Sequence, residues 1–150
     1  METAITVRKL ARTERDAAIA LALRVFQEFE APDYSAEGTA TFTESLHDER
    51  CLSALCLYGA FLGEELAGML ATRSGGTHIA LFFVEGRYHG RGIGRALLRA
   101  ARRDCPDASM TVHAAPFAVP IYHHLGFRDT DAERTEHGLR FTPMVLEAAD

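Results

Sequence analysis

The chain lacks the features that would place it in several large classes. No apolar run approaches the length needed to cross a membrane, and residues 1–18 (METAITVRKLARTERDAA) lack the continuous apolar stretch of a secretory signal. Neither a spanning helix nor export is therefore expected. Internal repeats, low-complexity tracts and linker-like shifts in composition are also missing, which leaves one domain over residues 1–150. There are only three cysteines, Cys51, Cys56 and Cys105. An odd count at spacings that match no zinc pattern argues against a disulfide framework and a zinc site, and points to a reducing, cytoplasmic setting. Net positive charge is absent as well. A formal charge of −5 gives no support to a nucleic-acid or membrane-surface role.

What remains is an ordinary soluble composition, 47% apolar and 25% charged, in 150 residues that can bury a sizeable core. The charge is unevenly placed. Between Gly86 and Arg103 there are six arginines and no acid, leaving 10 basic against 21 acidic side chains elsewhere. Such a stretch is either a solvated basic helix face or a local anion site on an acidic protein.

The periodicity predicts a mixed α/β fold. "ITVRKL", Ile5–Leu10, reads as a strand. Thr13 and Asp16 resemble a capping box ahead of a helix over Ala17–Phe29, whose inner face carries Leu21, Val25 and Phe29. Pro32 stops it, and Ser35 can cap a second helix that turns Phe42 and Leu46 inward. Three strands joined by short turns follow: "LSALCLYGAFL", "LAGMLATRS" and "HIALFFV" (His78–Val84), an antiparallel meander. The last is apolar almost throughout, so both of its faces are expected to be covered. A helix over Gly92–Asp104 places Ile93, Leu97, Leu98 and Ala101 on one side. "SMTVHA" is a strand, "AVPIYHHLGF" a short helix stopped by Gly126, and "GLRFTPMVL" a closing strand, with one or two late strands in all.

The arginine-rich stretch breaks local rules. A first helical turn prefers acids, yet this one carries Arg91 and Arg95, and Gly90, Gly92 and Gly94 weaken it further. The misfit resolves if a phosphate sits there. A buried strand running into "GRYHGRGIG" and then a helix aims backbone N–H groups at one point, glycine lets the chain approach closely, and the arginines become charge-assisted donors. A Rossmann fingerprint fails because Arg95 stands where the third glycine belongs, and a P-loop fails because no Gly-Lys-Ser/Thr is present.

"HGRGIGRALL" instead resembles the acyl-CoA pyrophosphate loop of the GNAT N-acetyltransferase superfamily, Gln/Arg-x-x-Gly-x-Gly/Ala. Gly92 and Gly94 match the small positions, while His89 replaces the usual Gln or Arg. "HAAPFAVPIYHHLGF", His113–Phe127, is similar to the superfamily's closing segment, and "APDYS", "HIALFFV" and "GLRFTPM" extend the likeness to small bacterial acetyltransferases of undefined substrate. The resemblance covers most of the chain. It implies a single-domain fold with a mostly antiparallel sheet splayed after its fourth strand and helices on both faces. It also implies acetyl-CoA as cosubstrate, with the pantetheine arm on the main chain of Phe82, Phe83 and Val84. The pyrophosphate would lie on His89, Gly90, Arg91, Gly92, Ile93, Gly94 and Arg95.

Acetyl transfer needs a neutral amine, a donor for the developing oxyanion, and a proton for the CoA thiolate. Tyr122 matches the superfamily's usual acid, and the backbone N–H of Val84 or a neighbour is the expected oxyanion donor. The base is open. His113 lies at a strand end near the expected split, where an Asn is common in that branch, and Glu28, Glu30 and Asp33 fall where the acceptor wall forms. A water chain could also serve. His123 and His124 do not make a metal pair, because adjacent helical residues face apart, and no metal is expected. Met69, Met110 and Met144 read as core filler. Two rivals share these motifs: a non-catalytic acyl-CoA sensor on the same fold, and a domain for another phosphorylated ligand. The expected partners are acetyl-CoA and an amine. The identity of that amine is open, and so is the oligomeric state, a homodimer included.

Overall fold

The computed structural model describes residues 4–148; the extreme ends of the expected 1–150 domain, residues 1–3 and 149–150, lie outside the described residues. The chain runs β1 (Ile5–Lys9), α1 (Arg15–Val25), α2 (Ala36–Ser45), α3 (Glu49–Ser53), β2 (Cys56–Leu62), β3 (Glu65–Arg73) and β4 (His78–Val84). It continues through α4 (Ile93–Arg103), β5 (Met110–Ala114), α5 (Val119–His124), β6 (Arg128–Asp129), β7 (Arg134–Glu136) and β8 (Leu139–Leu146). The strands lie in the order β1-β2-β3-β4-β5-β8-β6, with β7 paired to β8. Every pairing is antiparallel except β4 with β5.

Apolar spacing sets two layers. The 3.6-residue period of α4 buries Ile93, Leu97, Leu98 and Ala101 against Tyr58, Ala60 and Leu70 on one face of the sheet. Leu21, Ala22 and Val25 of α1 pack on the other face against Met69, Ala71, Leu81 and Phe83. Leu97 has no exposed surface, so Leu97→Ala should cost about 2–5 kcal/mol.

Several local expectations shift. The helix start is closed by Glu14, which accepts from the Ala11 N–H at 2.8 Å and is clamped by Arg8 at 2.7 and 2.8 Å, in place of a Thr13–Asp16 box. The first helix does not simply end at Pro32: it widens into a π turn over Phe26–Glu30 and then tightens over Ala31–Asp33. Ser35 does cap α2, accepting from the Gly38 N–H at 3.1 Å. Leu52 belongs to the unforeseen helix α3, which Asp48 caps, so β2 starts only at Cys56. β4 is not covered on both faces. Ile79, Leu81 and Phe83 are buried, while Phe82 and Val84 are half-buried.

The reason lies beside β4. Its pairing with β3 shifts register, with Ala71 opposite Leu81 and Thr72 opposite Ile79, so Ala80 is an extra residue. Such a bulge bends the strand and increases its twist. β4 touches β5 in register only at His78–Thr111 and Ile79–Val112. Past Ala80 the two strands diverge, and the sheet opens there.

Candidate active site at the split of the sheet

The open stretch of β4 presents its main chain to the split. The Glu85 N–H donates to Ala67 O at 2.9 Å, toward β3. Alternation along an antiparallel strand then aims the polar groups of Phe82 and Val84 the other way. The Val84 carbonyl is met by His89 Nε2 at 2.8 Å; a carbonyl only accepts, so this ring nitrogen carries its proton. His89 thus holds the floor of the split.

Beyond β4 the loop enters α4 through Gly90 at φ 81° and Gly92 at φ 80°. A Cβ at either would meet nothing within 4 Å. Conformation, not crowding, demands glycine here, and open space lies over the loop. The first helical bond runs from Ala96 N to Gly92 O, so the N–H groups of Ile93, Gly94 and Arg95 have no partner within α4. The arginines divide. Arg87 pairs with Glu65, which also accepts from the Tyr88 hydroxyl at 2.6 Å. Arg91 lies 5.4 Å over the Tyr88 ring, and among the described residues neither it nor Arg95 has a carboxylate partner.

A cleft of about 430 Å³ runs from this loop along β4 to α5. Every residue expected to hold the cofactor lines it except Arg91, which lies over the Tyr88 ring at its edge. Across the split lies a smaller cavity of about 170 Å³, bounded by α2, β5 and β8. Glu30 and Tyr122 line both, and so stand at the junction.

Tyr122 is 6% exposed, its ring edge-on to Phe82 at 5.9 Å and Phe127 at 5.2 Å. Thr72 Oγ1 is the one fully buried, unpartnered side-chain polar atom among the described residues, so the Tyr122 hydroxyl keeps some access to the cavities. Burial, and then the nearby Glu30, push its pKa well above the ordinary phenol value, so it stays protonated. Glu30 itself is pushed up to about 7, by burial first and by Asp33 second.

The other base candidates are placed differently. Glu28 is exposed and lines neither cavity, and Asp33 is exposed beside α2. Sequence position did not separate Glu30 from Glu28. The π turn does, because it rotates Phe29 and Glu30 toward the split, and such turns recur at functional sites. His113 lines only the smaller cavity, stacked on Phe141 at 4.3 Å, and burial and Arg73 lower its basicity. His123 binds Asp129 at 2.7 Å, while His124 lines the larger cleft. No group of three His, Cys, Asp or Glu side chains converges as a metal set among the described residues, and no described helix is long and apolar enough to cross a membrane.

The family model of the acetyltransferase (GNAT) domain matches residues 30–148. The chain belongs to the GNAT acetyltransferases. Solved structures agree on the GNAT fold. A GCN5-related N-acetyltransferase from Rhodopseudomonas palustris superposes with a TM-score of 0.81 at 21% identity, covering 98% of each chain. The PaiA N-acetyltransferase from Thermoplasma acidophilum, solved with coenzyme A, gives 0.76 at 19% identity, over 96% of this chain and 99% of that one. A GNAT acetyltransferase from Staphylococcus aureus gives 0.68 at 15% identity, over 96% and 100%. Among curated proteins, no sequence matches this one. The GNAT cosubstrate suits the observed cleft on its own terms: an apolar trough beside outward strand groups meets open space over two left-handed glycines and three helix N–H groups without a partner in α4.

Proposed function

We propose that this domain, residues 1–150, moves the acetyl group of acetyl-CoA directly to a primary amine of a small molecule or peptide. The observation that carries the reading is the junction, where one protonated phenol and one carboxyl of near-neutral acidity face both cavities. Phe82 and Val84 would hold the pantetheine arm by main-chain hydrogen bonds, and Gly90, Gly92, Ile93, Gly94 and Arg95 would hold the pyrophosphate. The thioester is thereby fixed at the split.

The acceptor enters from the smaller cavity. The ionised Glu30 carboxylate removes a proton from its ammonium and frees the lone pair. The amine nitrogen attacks the thioester carbonyl carbon, and the backbone N–H of Val84 or a neighbour faces the developing oxyanion. The C–N bond forms, the C–S bond breaks, and the sulfur leaves with the electron pair. A free thiol ionises near pH 8.5, so the departing thiolate is a strong enough base to take the Tyr122 proton. Glu30 passes the ammonium proton to water, and after attack the now cationic nitrogen gives its second proton to the re-ionised Glu30, from which Tyr122 is restored, so one proton is released per turnover. The products are the amide and CoA thiol. The test is thiol release from acetyl-CoA across a panel of amines and peptides. Acceptor-dependent release by the wild type supports the reading, and none by any acceptor refutes it.

A further inference from the structure

The smaller cavity has a charge polarity that acetyl transfer alone does not require. Its one carboxyl, Glu30, stands at the split. Elsewhere on its wall is Arg73, the last residue of β3, opposite His78 in register. The His78 and His113 rings lie 5.0 Å apart, and Arg73 acts on both. The charge that acts on Glu30 is instead Asp33. Both imidazoles are held toward the neutral form, His78 down at about 4, by burial first and Arg73 second. Glu136 and Arg134 of β7 also act on His113, with opposite signs. Arg73 forms no ion pair among the described residues, in a chain whose acids outnumber its bases.

A guanidinium without an ion-pair partner, beside two neutral imidazoles, offers a planar fork of donors and further ring nitrogens, His78 Nδ1 being held by Thr111 Oγ1 at 2.8 Å. That set matches a carboxylate. The wall between the two ends is aromatic, with Tyr34, Phe82 and Phe141. The cavity is bounded where α2 meets the start of β8, and the backbones of Gly38 and Gly138 touch there: a Cβ on Gly38 would lie 2.1 Å from Gly138 O. At about 170 Å³ the space suits one compact molecule.

We propose that Arg73, with His78 and His113, binds the carboxylate of the acceptor, so that the substrate class is a compact amino acid whose amine and carboxylate stand at opposite ends of an apolar or aromatic body. Its amine is directed to Glu30 and Tyr122. This rests on the acetyl-transfer reading for its chemistry, but not for its binding.

Calorimetry on CoA-saturated protein separates the two. Matched pairs with and without the carboxylate are titrated: γ-aminobutyrate against butylamine, 6-aminohexanoate against hexylamine, 4-(aminomethyl)benzoate against benzylamine. The expected result is at least one pair in which the carboxylated member binds tenfold or more tightly, with the preference gone in Arg73→Gln and partly regained in Arg73→Lys. Arg73 is exposed and unpaired, so these variants should fold. Equal binding within every pair, no binding by any, or a preference that persists in Arg73→Gln would overturn the inference. Thiol release is then read on the same compounds. Rapid acetylation of the uncharged amines with no carboxylate preference overturns the inference and leaves the transferase reading standing. Arg73-dependent binding without release from any acceptor keeps the inference and refutes the transferase reading.

Discussion

The two cavities that meet at Tyr122 are built from different material. The larger is mainly one continuous run, residues 82–95, and it offers chiefly backbone: the outward main chain of Phe82 and the Val84 N–H, two left-handed glycines and the unpaired N–H groups of α4. The smaller is assembled from the end of the π turn, α2, β3, β4, β5 and β8, and it offers side chains. A backbone site tolerates side-chain variation but depends on chain conformation. A side-chain site is the reverse. The first kind suits a cosubstrate shared across a family, and the second a ligand that differs between members.

The sharpest test of this contrast falls at the junction, where Glu30 and Tyr122 belong to both cavities. Tyr122→Phe keeps the ring against Phe82 and Phe127 and removes only the hydroxyl, so packing and CoA affinity should hold. The chemical step should fall by roughly 10²–10⁴-fold, the worth of a positioned proton donor, and the loss should appear in kcat and not in KM. Single-turnover transfer at saturating acetyl-CoA measures it; a fall of less than about threefold would mean that water supplies the proton.

Glu30→Gln should be comparably damaging above neutrality, and it carries a pH signature. With Glu30 titrating at about 7, wild-type kcat should rise with pH through that value as the base ionises, and the variant's profile should lose that limb. Stability should move the opposite way. The folded carboxyl has a raised pKa against 4.5 in its ordinary state, so the folded chain holds the proton longer. Folding therefore weakens as pH climbs from about 4.5 to about 7, and Glu30→Gln should flatten that slope in melting curves.

Next in size is the backbone site. Gly92→Val places a branched side chain where φ is 80° and fills the open space over the loop. CoA affinity should fall well over tenfold, about 1.4 kcal/mol or more. The left-handed conformation adds a folding cost of roughly 1–2 kcal/mol, so calorimetry must use protein shown to be folded. Unchanged affinity in a folded variant would remove the pyrophosphate from this loop.

Legibility followed the same division. "IALFFV", "HGRGIG" and the face Ile93, Leu97, Leu98 and Ala101 could be read directly, because strand, loop and helix periodicities act over a few residues. The Tyr122 helix was readable for the same reason. The position of Glu30 was not, since the widened turn that separates it from Glu28 leaves no periodic mark. Nor was the bulge at Ala80, which depends on the register of β3 against β4 and opens the sheet. Arg73 gave no signal at all. Its interest comes from the absence of an acid in a neighbourhood that only the fold creates.

The smallest predicted effect probes whether the misfit at the start of α4 is a trait of the backbone site. Arg91 and Arg95 sit beside the positive end of the helix dipole without an acidic partner, a conflict on the order of 0.3–1 kcal/mol each. Arg91→Gln and Arg95→Gln should therefore leave the ligand-free protein equally stable or slightly more so. Added CoA should raise the melting temperature less than in wild type, because stabilisation follows affinity for the folded state. The two residues are not equivalent. Arg95 lines the cleft, while Arg91 does not and rests over the ring of Tyr88. Arg95→Gln should accordingly reduce the CoA shift more, and its loss should shrink as salt rises, since an exposed charge–phosphate contact is screened. A ligand-free protein destabilised by either change, with its CoA shift intact, would mean that the arginines serve the fold and that the backbone alone holds the phosphate.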